Sequence, residues 1–265
     1  MIGFGELRRL SVRWHVDIAA VERAYCIDWL IKGMFDQADL AQILTLRGSA
    51  ALRYAYFLDY PVIEEPEFLA TMLPGDALHG AVESAAKTSG LLFSLIDLTR
   101  TSAKVEYTGP LGRRSAAQPH IVVSFILGET RRKPVRMPLI HRFSDACATT
   151  VSALTLEEFA GERIAQLAQL SRPRDVFDLW FALTHAHGQI ETTLVTELAR
   201  KIAQTKNISL PRADALFDPA RRARLEHSWD SALRRVPDHL AFAEIEKDLL
   251  YELENIAPAG HNFPG

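Results

Sequence analysis

The sequence is poor in cysteine, in net charge and in long apolar runs, and each shortage narrows what the chain can be. Two cysteines among 265 residues cannot build a disulfide framework. Cys26 and Cys147 sit in apolar stretches, so reduced core thiols and a cytoplasmic setting are expected. The longest apolar run, 121–127, is interrupted by Ser124 and falls far short of the roughly 20 residues that span a bilayer. Residues 1–17 hold no apolar segment of secretory type, so no leader and no membrane partner are expected. Thirty basic against 33 acidic residues give a formal charge of −3, which leaves no global field for nucleic acid. An RNA contact would need a local patch, such as Arg131-Arg132-Lys133 with Arg136, or Arg221-Arg222-Arg224 with Arg234-Arg235. Zinc-type Cys/His spacing, a P-loop and a nucleophile elbow are absent, and His185 and His187 lack a third ligand.

What is present is a 48% apolar chain, long enough for one large domain or two small ones. Leu10, Trp14, Ile18, Val21, Tyr25, Trp29 and Leu30 recur at helical spacing and predict one helix over 5–34. The stretch 44–68 reads as strand, Gly-Ser turn, helix, strand. Gly48 permits the tight turn, and Ser49 is placed to cap a helix over 50–58 and to offer a phosphate its hydroxyl. A strand starting at Val62 would put Glu65 and Glu67 on one face, where two carboxylates could hold a divalent metal. A helix over 77–89, strands over 91–98, 102–107, 120–127 and 135–138, and a turn over 108–114 follow. From Thr155 the pattern is helical to about 256, with a capping-box-like start at Thr155-Leu156-Glu157-Glu158 and a frayed tail over 258–265.

Arg47-Gly48-Ser49-Ala50-Ala51-Leu52-Arg53 and Pro61-Val62-Ile63-Glu64-Glu65-Pro66-Glu67-Phe68 resemble the nucleotide-site motifs of the AbiEii/AbiGii nucleotidyltransferase toxins. Arg172-Pro173-Arg174-Asp175-Val176-Phe177-Asp178-Leu179-Trp180 is similar to that family's Arg-Pro-Arg-Asp-x-x-Asp-Leu motif. Glu22, Arg23, Tyr25, Asp28, Trp29 and Leu30 match its leading helix.

The resemblance implies an α+β fold: a DNA-polymerase-β-like core over 1–150, with a mixed sheet and flanking helices, and a helical domain over 151–265 whose first two helices close the nucleotide cleft. It implies a toxin of a bacterial toxin–antitoxin or phage-defence system, using Mg2+ to transfer a nucleotide from an NTP to tRNA, another RNA or a protein, with a cognate antitoxin. Glu65, Glu67, Arg163 and Asp175 would be catalytic, the two glutamates as metal ligands. Gly48, Ser49, Arg53, Arg163 and Arg174 would bind the nucleotide, and Asp178 would be a structural residue on the helix surface.

Four departures touch the chemistry. Glu65 and Glu67 stand where the family has aspartates, Ser124 stands where it has a third acid, and Gly161-Glu162-Arg163 replaces Ala-Glu-Lys. Pro66 also removes a backbone donor between the two glutamates. The alternative to an active enzyme is a pseudoenzyme of the same fold that binds nucleotide, RNA or a protein.

Overall fold

The computed structural model describes residues 1–112, 119–186 and 188–256. Arg113, Arg114, His187 and the 258–265 tail therefore lie outside the described residues. Two compact units divide at Leu154/Thr155.

In the first unit the expected single leading helix is two, α1 (Phe4–Trp14) and α2 (Ile18–Asp36). The chain breaks at His15, which takes a left-handed φ of 51°, and Asp17 then caps α2 by accepting from the Ala20 N–H. A short α3 (Ala38–Ile43) leads into β1 (Leu44–Arg47). Helix α4 starts directly at Gly48, runs to Ala51, and continues as a π-helical turn over Leu52–Tyr56. Arg142 closes that turn, donating to the carbonyls of Arg53, Phe57 and Leu58 at 2.6–2.7 Å. Then come β2 (Glu67–Ala70), α5 (Ala77–Ser89, ended by Gly90 at φ 73°), β3 (Leu92–Leu98), β4 (Ser102–Thr108), β5 (His120–Leu127), β6 (Val135–Pro138) and β7 (Thr150–Ala153).

The seven strands form one mixed sheet in the order β3-β4-β5-β2-β1-β7-β6. β1 pairs antiparallel with β2 and parallel with β7, and β2 pairs parallel with β5. Register fixes the faces. Leu44, Leu46, Phe68, Ala70, Val123, Phe125, Val105 and Val151 are all buried on one side. Phe68 packs there between Phe125 and Phe35 of α2, with ring centroids 6.1 and 6.2 Å away. The other side carries Arg47, Glu67, Ser124 and Ser102.

The polar residues of α2 tie it to distant loops. The Glu22 carboxylate accepts from the Leu111 N–H at 2.6 Å, and Arg23 pairs with Glu64 at 3.0 Å. Tyr25 donates to Asp145 at 2.6 Å, and Asp28 lies 2.7 Å from His141 Nδ1. His141 Nε2 meets Asp145 at 3.0 Å, so one imidazole bridges two carboxylates. Cys26 and Cys147 are free and buried.

The second unit holds α6 (Leu156–Gln169), α7 (Pro173–His185), α8 (Thr192–Thr205), α9 (Pro219–Ala232) and α10 (Phe242–Ile256). Thr155 caps α6 by accepting from the Glu158 N–H, and Pro173 opens α7. In the basic cluster the Arg221 side chain turns inward, to the carbonyls of Leu167 and Leu216, while the exposed Arg222 pairs with Glu246 at 2.7 Å. No helix among the described residues is long and apolar enough to cross a membrane.

The bridge at His141 makes stability depend on pH. Burial pushes the imidazole pKa down, but the bonds and charges of Asp28 and Asp145 outweigh it and the net shift is upward. Burial raises the Asp145 carboxyl, yet Tyr25 and His141 bring it below its ordinary value. The His141 contribution is complete below the unfolded value of about 6.5 and is lost as pH rises through the higher folded value. The Asp145 contribution is present above about 3.9 and is lost as pH falls through its depressed folded value. Urea unfolding midpoints should therefore fall as pH is raised from the optimum, and His141→Asn should flatten that alkaline limb.

Candidate functional site

The site begins with backbone register. Directly paired residues on neighbouring strands point to the same side of a sheet. Arg47 pairs with Glu67, Glu67 with Ser124, and Ser124 with Ser102. Four strands thus present one row, Arg47–Glu67–Ser124–Ser102, across the side of the sheet opposite the aromatic core. All four residues are half-buried. The Arg47 guanidinium meets the Glu67 carboxylate at 2.6 Å, a short charge-assisted contact, with the arginine 11% exposed and the glutamate 37%.

Arg47 is also the last residue of β1, immediately before Gly48. Gly48 is buried with φ 57°, a left-handed conformation that a residue with a Cβ resists. It lets the chain leave the strand and enter α4 without an intervening loop. The structure revises the capping expectation, since Arg47 occupies the cap position and Ser49 lies inside the first turn.

The glutamate pair is not a same-face pair. β2 starts at Glu67, whereas Glu65 lies in an exposed bend, so strand alternation does not relate the two. Pro66 explains the late start. It has no N–H for a ladder, but its carbonyl accepts from the Ser124 N–H at 3.0 Å, which places it as the residue before the strand. Glu64 is taken by Arg23. Arg53, expected at the nucleotide, is 1% exposed. Its Nη1 donates to the Tyr60 carbonyl at 2.8 Å, and its guanidinium lies over the Trp14 and Tyr54 rings at 5.5 and 5.7 Å. It belongs to the core under α4.

These residues do not suit a divalent metal. At a phosphate site Mg2+ is usually held by one or two carboxylates that are open to it, together with the substrate's phosphates. The row holds one carboxylate, already bound to a guanidinium, and Ser124 is neutral where the resemblance implies the third acid. Among the described residues no group of three His, Cys, Asp or Glu side chains is arranged to hold a metal ion.

The helical unit carries its own charged cluster. Arg163 on α6 meets Asp175 at 3.2 Å and Asp178 at 3.2 Å, and Arg174 meets Asp178 at 3.1 Å. Gln166 accepts from Arg163 at 2.8 Å, and the Phe159 ring lies 5.2 Å from the guanidinium. Asp178 is fully buried, so the expectation of a helix-surface residue is corrected: it holds both arginines. Residues 174, 175 and 178 share a face of α7, and that i, i+4 spacing was the signal that could have shown it. His185 stacks on Phe181 at 3.8 Å and its Nδ1 lies 3.0 Å from that residue's carbonyl, a helix-end role.

The model of the AbiEii family (nucleotidyl transferase AbiEii toxin, type IV toxin–antitoxin system) matches residues 76–247, more than half of the chain. The chain belongs to this family. The match includes Ser124, Arg163, Asp175 and Asp178, and begins beyond Arg47, Gly48 and Glu67. No curated protein matches the AbiEii chain. Its fold is similar to that of the nucleotidyltransferase toxin MenT4 from Mycobacterium tuberculosis, with a TM-score of 0.69 at 15% identity over 97% of this chain and 91% of that one. It is also similar to JHP933 from Helicobacter pylori, with a TM-score of 0.57 at 13% identity over 90% and 91% of the two chains. The α+β class, with a mixed sheet and flanking helices, is therefore that of nucleotidyltransferase toxins.

Two substitutions test the helical unit. Asp178→Ala removes the fully buried carboxylate that pairs with both Arg163 and Arg174, leaves Arg163 with Asp175 and Gln166, and should cost about 1–3 kcal/mol in urea unfolding. Gly161→Ala adds a Cβ that would meet the Ala199 amide nitrogen at 2.9 Å and the Leu198 Cβ at 3.1 Å. It should destabilise by about 1–3 kcal/mol despite the better helix propensity of alanine.

Proposed function

We propose that this AbiEii-family protein binds an NTP along the Gly48 turn and the Arg47–Glu67–Ser124–Ser102 row, and transfers the nucleotide to a hydroxyl of an RNA or a protein. Family membership gives the coarser statement, a nucleotidyltransferase toxin of a type IV toxin–antitoxin system, and it implies a cognate antitoxin and an NTP substrate. Transfer is an in-line displacement. The acceptor oxygen attacks the α-phosphorus, the bond from that phosphorus to its β-bridging oxygen breaks, pyrophosphate leaves, and the hydroxyl proton passes to solvent.

The observation that carries this reading is the row itself: an ion pair and two hydroxyls aligned across four strands, beside a glycine turn that opens a helix. Arg47 can neutralise and orient phosphate oxygens through its planar fork of donors. Glu67 holds that fork in place, and Ser124 and Ser102 offer hydrogen bonds to ribose or phosphate. The toxin–antitoxin setting of the family supports a cytoplasmic site of action.

The test is incubation of the protein with each α-labelled NTP, Mg2+ and total RNA or lysate protein. Label should enter one acceptor class, and Arg47→Ala or Glu67→Gln should lower the rate about 100-fold while leaving the urea midpoint near that of wild type. Transfer at the wild-type rate by both variants would remove the row from the reaction. Tight NTP binding with no transfer to any acceptor would instead mark a pseudoenzyme.

A further inference from the structure

The donor set around Glu67 is short of carboxylates and long by one guanidinium, and the two facts belong together. The formal charge along the row is zero, +1 from Arg47 and −1 from Glu67, with Ser124 and Ser102 neutral. A divalent ion on Glu67 would compete with Arg47 for a carboxylate already in a 2.6 Å contact and would set two further positive charges beside the guanidinium. A guanidinium, by contrast, carries a permanent charge and donors in a flat fork that matches two phosphate oxygens. Arg47 already stands where it would be needed, at the end of β1, 11% exposed, backed by a carboxylate and adjoining the Gly48 turn.

We propose that the Arg47 guanidinium, held by Glu67, takes the place of a divalent cation at this site, so that the triphosphate binds without metal. Glu67 is then a positioning residue for Arg47 rather than a metal ligand. Ser124, as a hydroxyl, avoids the repulsion that a second carboxylate in this register would exert on an unscreened phosphate. This inference rests on the nucleotide-site reading above, and the experiment separates the two.

Calorimetric titration of the full chain with ATP, GTP, CTP and UTP is run in EDTA and again in excess Mg2+, and Mg2+ alone is titrated as well. At least one NTP should bind with a Kd that differs by less than about threefold between the two buffers, and Mg2+ alone should give no heat. Arg47→Ala should weaken binding in EDTA by about tenfold or more, and Arg47→Lys, which keeps the charge but not the fork, should fall between. Thermal melts of both variants show whether they are folded, and the lysine variant carries the test if the alanine variant is not. Binding that appears only with Mg2+, or Mg2+ binding by itself, would overturn the metal-free site while leaving a nucleotide site in place. Absence of NTP binding in both buffers would overturn the nucleotide-site reading and this inference together.

Discussion

The parallel pairing of β2 with β5 is the constraint on which the rest of the first unit depends. Strand β2 is only four residues long, yet it sits between β1 and β5, so its register sets what faces what on both sides of the sheet. On the inner side it stacks Phe68 on Phe125 and sets Phe68 against Phe35 of α2. On the outer side it sets Glu67 between Arg47 and Ser124. A slip of one residue would send Phe68 outward and bury Glu67, exchanging a fully buried aromatic side chain, worth about 1.5–3 kcal/mol in transfer, for an unpaired carboxylate. The aromatic core and the polar row are thus two readouts of one alignment.

Local signals were legible in the sequence where short-range chemistry decides the outcome. Gly90 ends α5, Thr155 caps α6, Pro173 opens α7, and β5 and β6 occupy the expected 120–127 and 135–138. The failures lie where distant partners decide. Nothing in Trp14-His15-Val16-Asp17 marks His15 as left-handed, so α1 and α2 read as one helix. Strand β7 is four residues of mixed polarity and exists because β1 and β6 flank it. Glu65 and Glu67 looked like an alternating pair, but Pro66 had already shown that the ladder could not start earlier. Arg47 was part of a recognised motif and still went unmarked as a site residue, because its role comes from a cross-strand neighbour 20 positions later. Arg53 misled in the opposite direction, since an arginine in a binding motif is ordinarily taken to face solvent.

The two charged arrangements show opposite uses of the same residue types. In the row, one arginine meets one glutamate that is more than a third exposed, so the pair can rearrange when an anion arrives. In the helical unit, Arg163 and Arg174 are shared among Asp175 and Asp178, and Asp178 is fully enclosed. Two cations and two anions there balance one another in low dielectric, which favours a fixed α6–α7 geometry over an open binding surface.

Gly161 carries one last consequence, for which side chains its position can accept. Because α8 runs against the bare backbone of α6 at that point, a methyl group has no room there while α8 keeps its present seat. Any larger residue there would first have to move a whole helix, or would leave a less stable protein. The neighbouring Arg163, two residues along the same helix and already committed to two aspartates, would face that shift at the same moment.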